Sequence, residues 1–250
     1  MNNYCDLHTH SIFSDGTYTP TEIINAAIDI GLSAVALCDH NTVDGLPEFL
    51  TAASNKKIEA IAGAEFSVDL NGTELHLLGL YIPTNAFTQI SDLMTNVNQK
   101  KEESNIALVT SLNKAGYLID YSAIKANTPC GKVNRAHIAT ELVQKGYVNS
   151  RREAFDSLLA PKHGYYHEPE RLSVWEMIDF LLSVDAVPVL AHPFLNLREK
   201  ELIQFLPMAK KRGLVGMECF YSLYDEETTK KSIALADTNG LKYSGGSDFH

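Results

Sequence analysis

The sequence predicts an α/β protein, a seven-stranded barrel carrying a helical insertion. Three observations support this. Short apolar runs with strand character recur, helical stretches follow them, and the alternation breaks once for about a hundred residues. The runs fall at 4–8, 34–38, 58–68, 75–82, 187–191, 215–220 and 242–246. Strands alternating with helices imply parallel sheet, and seven of them suggest a barrel. A length of 250 residues suits one such domain, since α/β barrels occupy about 200–250 residues.

After the first strand, 21–30 reads as a helix opened by Thr19-Pro20-Thr21-Glu22, with proline near the start and an early acid. Gly31 stands where that helix should stop. The runs 58–68 and 75–82 depart from the alternation. They are joined by Asp69-Leu70-Asn71-Gly72-Thr73, in which Asn-Gly marks a tight turn. Beyond residue 82 the stretch 90–182 is helical, with no strand of comparable quality. The barrel is therefore expected to comprise 1–99 and 172–250, and a helical cap 100–171.

Hydrophobic content of 45% and charged content of 21% are ordinary for a soluble globular protein. No apolar run approaches the ~18 residues that span a membrane. No basic-then-apolar signal opens the chain. The four cysteines (Cys5, Cys38, Cys130 and Cys219) lie far apart, which reads as reduced thiols and a cytoplasmic location. A net charge of −10 argues against a broad DNA-binding surface. Within 100–171, however, 11 Lys and Arg face 8 Asp and Glu, a local +3 against −13 elsewhere.

The chemistry gathers at strand ends. In Asp6-Leu7-His8-Thr9-His10 the two histidines are two apart, on one side of a strand, so both can reach one ion. Alone, such a pair is weak evidence and reads more readily as surface or hydrogen-bonded histidines. Recurrence changes that reading. His40 ends the second strand, Glu65 the third, and His76 lies within the fourth. His192 ends the fifth, Asp248 and His250 follow the seventh, and Asp15 sits in the first loop. Six of nine histidines thus lie near strand ends, where barrel enzymes place catalytic groups. His137, His163 and His167 lie in the insertion and read as surface or anion-contact residues. Nine nitrogen and oxygen donors exceed the about four that one zinc ion takes, which favours several ions. Imidazole mixed with carboxylate suits Mn, Fe or Zn.

These residues resemble the PHP family, the polymerase and histidinol phosphatase superfamily, over most of the chain. The blocks are Asp6-Leu7-His8-Thr9-His10-Ser11 with Ser14-Asp15-Gly16-Thr17, and Ala36-Leu37-Cys38-Asp39-His40-Asn41-Thr42. Gly63-Ala64-Glu65, Ala191-His192-Pro193 and Gly246-Ser247-Asp248-Phe249-His250 complete them. The resemblance implies a distorted (β/α)7 barrel with two to three divalent ions. It implies that His8, His10, Glu65 and Asp248 hold one ion. Glu65, His76 and His192 would hold a second, and Asp15, His40 and His250 a third. Cys38 replaces the family's usual Thr. It shares its side-chain parity with His40, so it reads as a small buried thiol. Family members usually continue for another helix or so, which implies a segment following His250.

The implied reaction is hydrolysis of a phosphate monoester by metal-activated hydroxide, the ions also holding phosphate oxygens. Asp15, His40, Glu65, His192 and Asp248 are the expected catalytic residues. The insertion resembles that of enzymes acting on nucleoside 3′,5′-bisphosphates and short RNA 5′ ends, through the Arg-x-His-x-Ala pattern Arg135-Ala136-His137-Ile138-Ala139. Arg135 would clamp a second phosphate, with His137 and Lys162 as further substrate contacts; a solvated helix-face arginine is the plainer reading. The expected partner is a small phosphorylated substrate, a nucleotide or short RNA, without membrane or stable DNA binding. Other readings are a phosphatase for a small monophosphate such as histidinol phosphate, a hydrolase of another bond such as an amide, and a non-catalytic PHP module. Glu218, near the end of the sixth strand, is either an orienting group behind a ligand or a structural residue.

Overall fold

The computed structural model describes residues 4–250. Met1, Asn2 and Asn3, which the reading of the N-terminus includes, lie outside the described residues, as does the Cys130 side chain. Seven strands form: β1 (Cys5–Thr9), β2 (Ala34–Leu37), β3 (Glu59–Leu70), β4 (Thr73–Leu80), β5 (Val187–Leu190), β6 (Gly216–Tyr221) and β7 (Lys242–Gly246). They hydrogen-bond in chain order as one seven-stranded sheet. Pairing is parallel from β1 to β3 and from β5 to β7, while β4 runs antiparallel to both neighbours. The reversal follows from Asn71-Gly72, whose φ values of 52° and 85° are the pair of positive angles that a two-residue hairpin turn requires.

The sheet curls until the segment after β7 meets β1. There Thr9 bridges Phe249, the Asp248 amide donates to the His8 carbonyl at 2.9 Å, and the His10 amide donates to Phe249 at 2.8 Å. The result is a nearly closed, distorted (β/α)7 barrel.

The first helices are α1 (Pro20–Asp29), α2 (Leu46–Ala53) and α3 (Phe87–Lys114). They are followed by α4 (Tyr121–Asn127), α5 (Arg135–Gln144), α6 (Arg151–Ala154) and α7 (Val174–Ser183). The last are α8 (Pro193–Asn196), α9 (Glu199–Arg212) and α10 (Glu226–Asn239). Helix α1 begins at a capping box between Thr19 and Glu22 and buries Ile23, Ile24 and Ala27.

The chain divides into two compact units, Met1–Asp92 with Arg171–His250, and Leu93–Glu170. The first boundary falls earlier than the expected 99/100, within the continuous helix α3, where no turn residue marks it. The second unit has its own core, built around Leu108, Leu112, Ile138, Leu142 and Leu159. Among the described residues, no helix is long and apolar enough to cross a membrane.

Inside the barrel, small side chains pack against larger aliphatic ones. Ala34, Ala36 and Cys38 line β2 and its end, facing Ile61, Leu78 and Leu80. Gly63 lets two strands close together, since a Cβ there would lie 2.9 Å from Cys38 Sγ. Strand alternation then sets the mouth. The Ala34-Ala36-Cys38 column ends in His40, Ile61-Gly63 in Glu65, and Leu80-Leu78 in His76.

Candidate metal centre

Glu65 is fully buried in the middle of β3, not at its end as expected, because the hairpin carries that strand on to Leu70. Its Oε1 lies 2.8 Å from His76 Nδ1, 2.9 Å from His192 Nε2 and 3.5 Å from His8 Nε2. Its Oε2 lies 3.0 Å from His40 Nδ1 and 3.5 Å from His10 Nε2. Asp248 Oδ1 is 3.1 Å from His10 Nε2 and 3.3 Å from His8 Nε2. Asp15 faces His250 Nε2 at 3.4 Å and His40 Nε2 at 3.9 Å. All nine expected ligands therefore converge at one mouth of the barrel.

Two strand irregularities and two left-handed residues aim these groups. Between Asp6 and Thr9, β1 bulges against β2. Leu7 still packs on the interior cluster, while His8 and His10 both reach the mouth. A second bulge, between Glu218 and Phe220 in β6, brings Tyr221 to the same side as Glu218. The Tyr221 hydroxyl donates to Asp248 Oδ2 at 2.8 Å. His192 adopts φ 24° and Asp248 φ 55°. Such backbone costs about 1–3 kcal/mol and persists where its surroundings impose it. At His192 it breaks the alternation that points Val189 and Ala191 inward, and turns the next side chain inward as well.

Sequence reasoning missed the supporting carboxylates. Buried Asp39 accepts from the Ser11 amide at 2.7 Å and from the Ser11 and Ser14 hydroxyls at 2.6 Å each, tying down the loop that leads to Asp15. Gly16 packs on the His10 backbone, where a Cβ would lie 2.3 Å from the carbonyl oxygen. Asp39 stood inside the Asp39-His40 motif but carried no sequence signal of its own. Glu74, 3.7 Å from His76 Nε2, is held by the buried Arg171 guanidinium at 2.8 Å.

The donors suit cations. Three groups offer ligand atoms within 4.8 Å of one another among the described residues: His8, His10, Glu65, Asp248; His10, Asp15, His40, His250; and His40, Glu65, His76. His192 stands outside the third group, although it reaches Glu65. His8 Nε2, His40 Nδ1, His76 Nδ1 and Glu65 Oε2 are buried and make no hydrogen bond. His76 Nδ1 nevertheless lies 2.8 Å, and His40 Nδ1 3.0 Å, from a Glu65 oxygen. Buried nitrogen and oxygen atoms without hydrogen-bond partners, gathered around one carboxylate, support the fit of divalent ions.

Without ions the imidazoles respond to the carboxylates. Burial alone would lower His76, but Glu65 and Glu74 override it and raise the group to about 10. Burial opposes His250 too, yet Asp15 and Asp248 lift it to about 9. Burial disfavours charge on Glu65, but His40, His76 and His8 hold its carboxyl well below the usual range. His10 is lowered, chiefly by burial. Burial drives the Cys38 thiol well up, in keeping with a neutral interior side chain.

The insertion residues belong to the other compact unit. In the second unit, Arg135 opens α5 with its guanidinium carbon 4.4 Å from the Tyr166 ring centroid and 5.7 Å from that of Phe155. His137 closes a capping box with Asn134, its Nδ1 accepting from the Asn134 amide at 3.1 Å. Lys162 is exposed in a short turn, Pro161–His163.

Comparison with known proteins places this architecture. Residues 6–168 match the PHP domain, and the chain belongs to that family, as a phosphoesterase. It is 31% identical to a 5′-3′ exoribonuclease of Haemophilus influenzae over 100% of this chain and 91% of that protein. It is 30% identical to a 3′,5′-nucleoside bisphosphate phosphatase of Chromobacterium violaceum over 98% of this chain and 86% of the relative. The crystal structure of a candidate metal-dependent phosphoesterase from Bifidobacterium adolescentis superposes with a TM-score of 0.87 at 27% identity, covering 100% of this chain and 88% of that one.

Proposed function

We propose that the protein removes a phosphate from a nucleoside 3′,5′-bisphosphate or from the end of a short oligoribonucleotide, using two to three divalent ions drawn from Mn, Fe and Zn. The observation that carries this reading is the hub at Glu65, where one buried carboxylate faces five imidazoles. The names of the two relatives supply the substrate class. When bound, the ions would lower the pKa of a water and neutralise charge on the phosphate. His8, His10, Glu65 and Asp248 would hold one ion, Glu65, His76 and His192 a second, and Asp15, His40 and His250 a third. Two or three such ions outweigh the charge of the three ligand carboxylates, which attracts a phosphate dianion. Asp39 keeps the Asp15 loop in place, and Tyr221 fixes the Asp248 carboxylate.

A second phosphate needs protein groups, and Arg135 is assigned that role on the motif it shares and on the basic balance of its segment. A hydrogen bond to a charged group contributes roughly 1.5–3 kcal/mol. Arg135→Ala should therefore lower kcat/KM for 3′-phosphoadenosine 5′-phosphate by about ten- to a hundred-fold, and leave p-nitrophenyl phosphate hydrolysis nearly unchanged. Equal losses on both substrates would place Arg135 at the reacting phosphate or in the fold. Faster turnover of histidinol phosphate than of the bisphosphate, by the metal-reconstituted wild type, would overturn the substrate assignment.

A further inference from the structure

We propose that Glu218 is a positioning residue that orients two metal-holding histidines at once, and that it must be a carboxylate to do so. The inference rests on the ligand set given above. Glu218 is fully buried in β6. Its Oε1 lies 3.1 Å from His8 Nδ1, and its Oε2 accepts from the backbone N–H of His192 at 2.7 Å.

Both partners are donors. The His192 amide is one by constitution. His8 becomes one through its task. Its Nε2 faces Glu65 at 3.5 Å and Asp248 at 3.3 Å, the side on which an ion would be held. A lone pair on Nε2 requires the proton on Nδ1, and Glu218 Oε1 is the acceptor that keeps it there. The second oxygen fastens the residue whose φ of 24° turns its ring inward. One side chain thus sets the tautomer of a ligand in the first group and the backbone turn of a ligand in the second. Glutamine cannot do both. If its oxygen serves the His192 amide, its NH2 meets Nδ1 and favours the wrong tautomer. If it flips, NH2 opposes N–H.

The test is Glu218→Gln in the full chain, with Mn2+ and Zn2+ affinity read by chelator competition and Co2+ ligation by visible absorption. Affinity should fall about 10- to 100-fold, the usual loss when an outer partner of a metal-binding histidine is removed. The Co2+ bands should shift, while the far-UV spectrum of the metal-free protein stays that of wild type. In a His8→Ala background the same substitution should cost distinctly less, because part of its effect runs through His8. Unchanged affinity and Co2+ bands in Glu218→Gln would overturn the inference while leaving the site reading intact. A wild-type protein that binds no divalent ion would overturn the site reading instead. Should the glutamine variant fail to fold, Glu218→Asp keeps both acceptors but shortens their reach, and it is read by the same two measurements.

Discussion

The two oxygens of Glu65 face imidazoles carried by the segments of β1, β2, β4 and β5. In the metal-free protein the carboxylates of the mouth make the raised histidines pH-dependent stabilisers. His76 and His250, raised to about 10 and about 9, bind protons more tightly when folded than unfolded. Their contribution is fully present below about pH 6.5 and is lost as pH rises toward 9–10. Asp15, Glu65 and Asp248 are depressed, so theirs is lost as pH falls below about 4. Denaturant unfolding of chelator-treated protein should therefore show greatest stability near pH 5–6.5 and a decline above it. Metal affinity should run the other way, rising with pH, because ligands bind ions deprotonated. His8→Ala should lower bound metal and phosphatase activity together, as elemental analysis beside the assay would show; full activity in a metal-stripped sample would refute this.

At the scale of elements, most of the plan was legible. The seven apolar runs were visible without partners because each strand carries its own pattern, and Asn71-Gly72 announced the hairpin. Most of the expected ligands could be picked out because they stood at or near the end of a run, although Glu65 lies mid-strand and Asp15 in a loop. The bulges in β1 and β6 could not be read, since a bulge is a mismatch between two strands and neither strand records it alone. For that reason Tyr221 was missed and Glu218 was left undecided. The left-handed turn at His192 was equally hidden, because histidine does not advertise positive φ as glycine does. Close approach of strands also depends on pairs. At Gly246 a Cβ would lie 2.4 Å from the His8 Cβ and 2.7 Å from its amide nitrogen. Gly246→Ala should therefore push β7 off His8, destabilise the fold by about 1–3 kcal/mol, and weaken metal binding, as paired thermal melts and metal titrations would show.

Over the whole molecule, a net charge of −10 and a mouth crowded with buried carboxylates and histidines make ion binding and folding one linked equilibrium. A site filled at a hundred times its dissociation constant adds about 2.7 kcal/mol. For a chain of this size that corresponds to a rise in Tm of roughly 5–10 °C. Adding Mn2+ or Zn2+ to chelator-treated protein should raise Tm in this range, in proportion to the logarithm of ion concentration. A melt insensitive to both ions would contradict the coupling.

Barrel closure runs through the same residues as the site. The Asp248 amide bonds to the His8 carbonyl, and His10 meets Asp248 across 238 positions of sequence. During synthesis, a ribosome that has not yet delivered β7 has produced only part of the first ligand group. Contacts so distant in sequence are the slow ones to form. The group of His8, His10, Glu65 and Asp248 is therefore assembled only when the last strand docks, whereas His40, Glu65 and His76 are all delivered before the chain reaches β5.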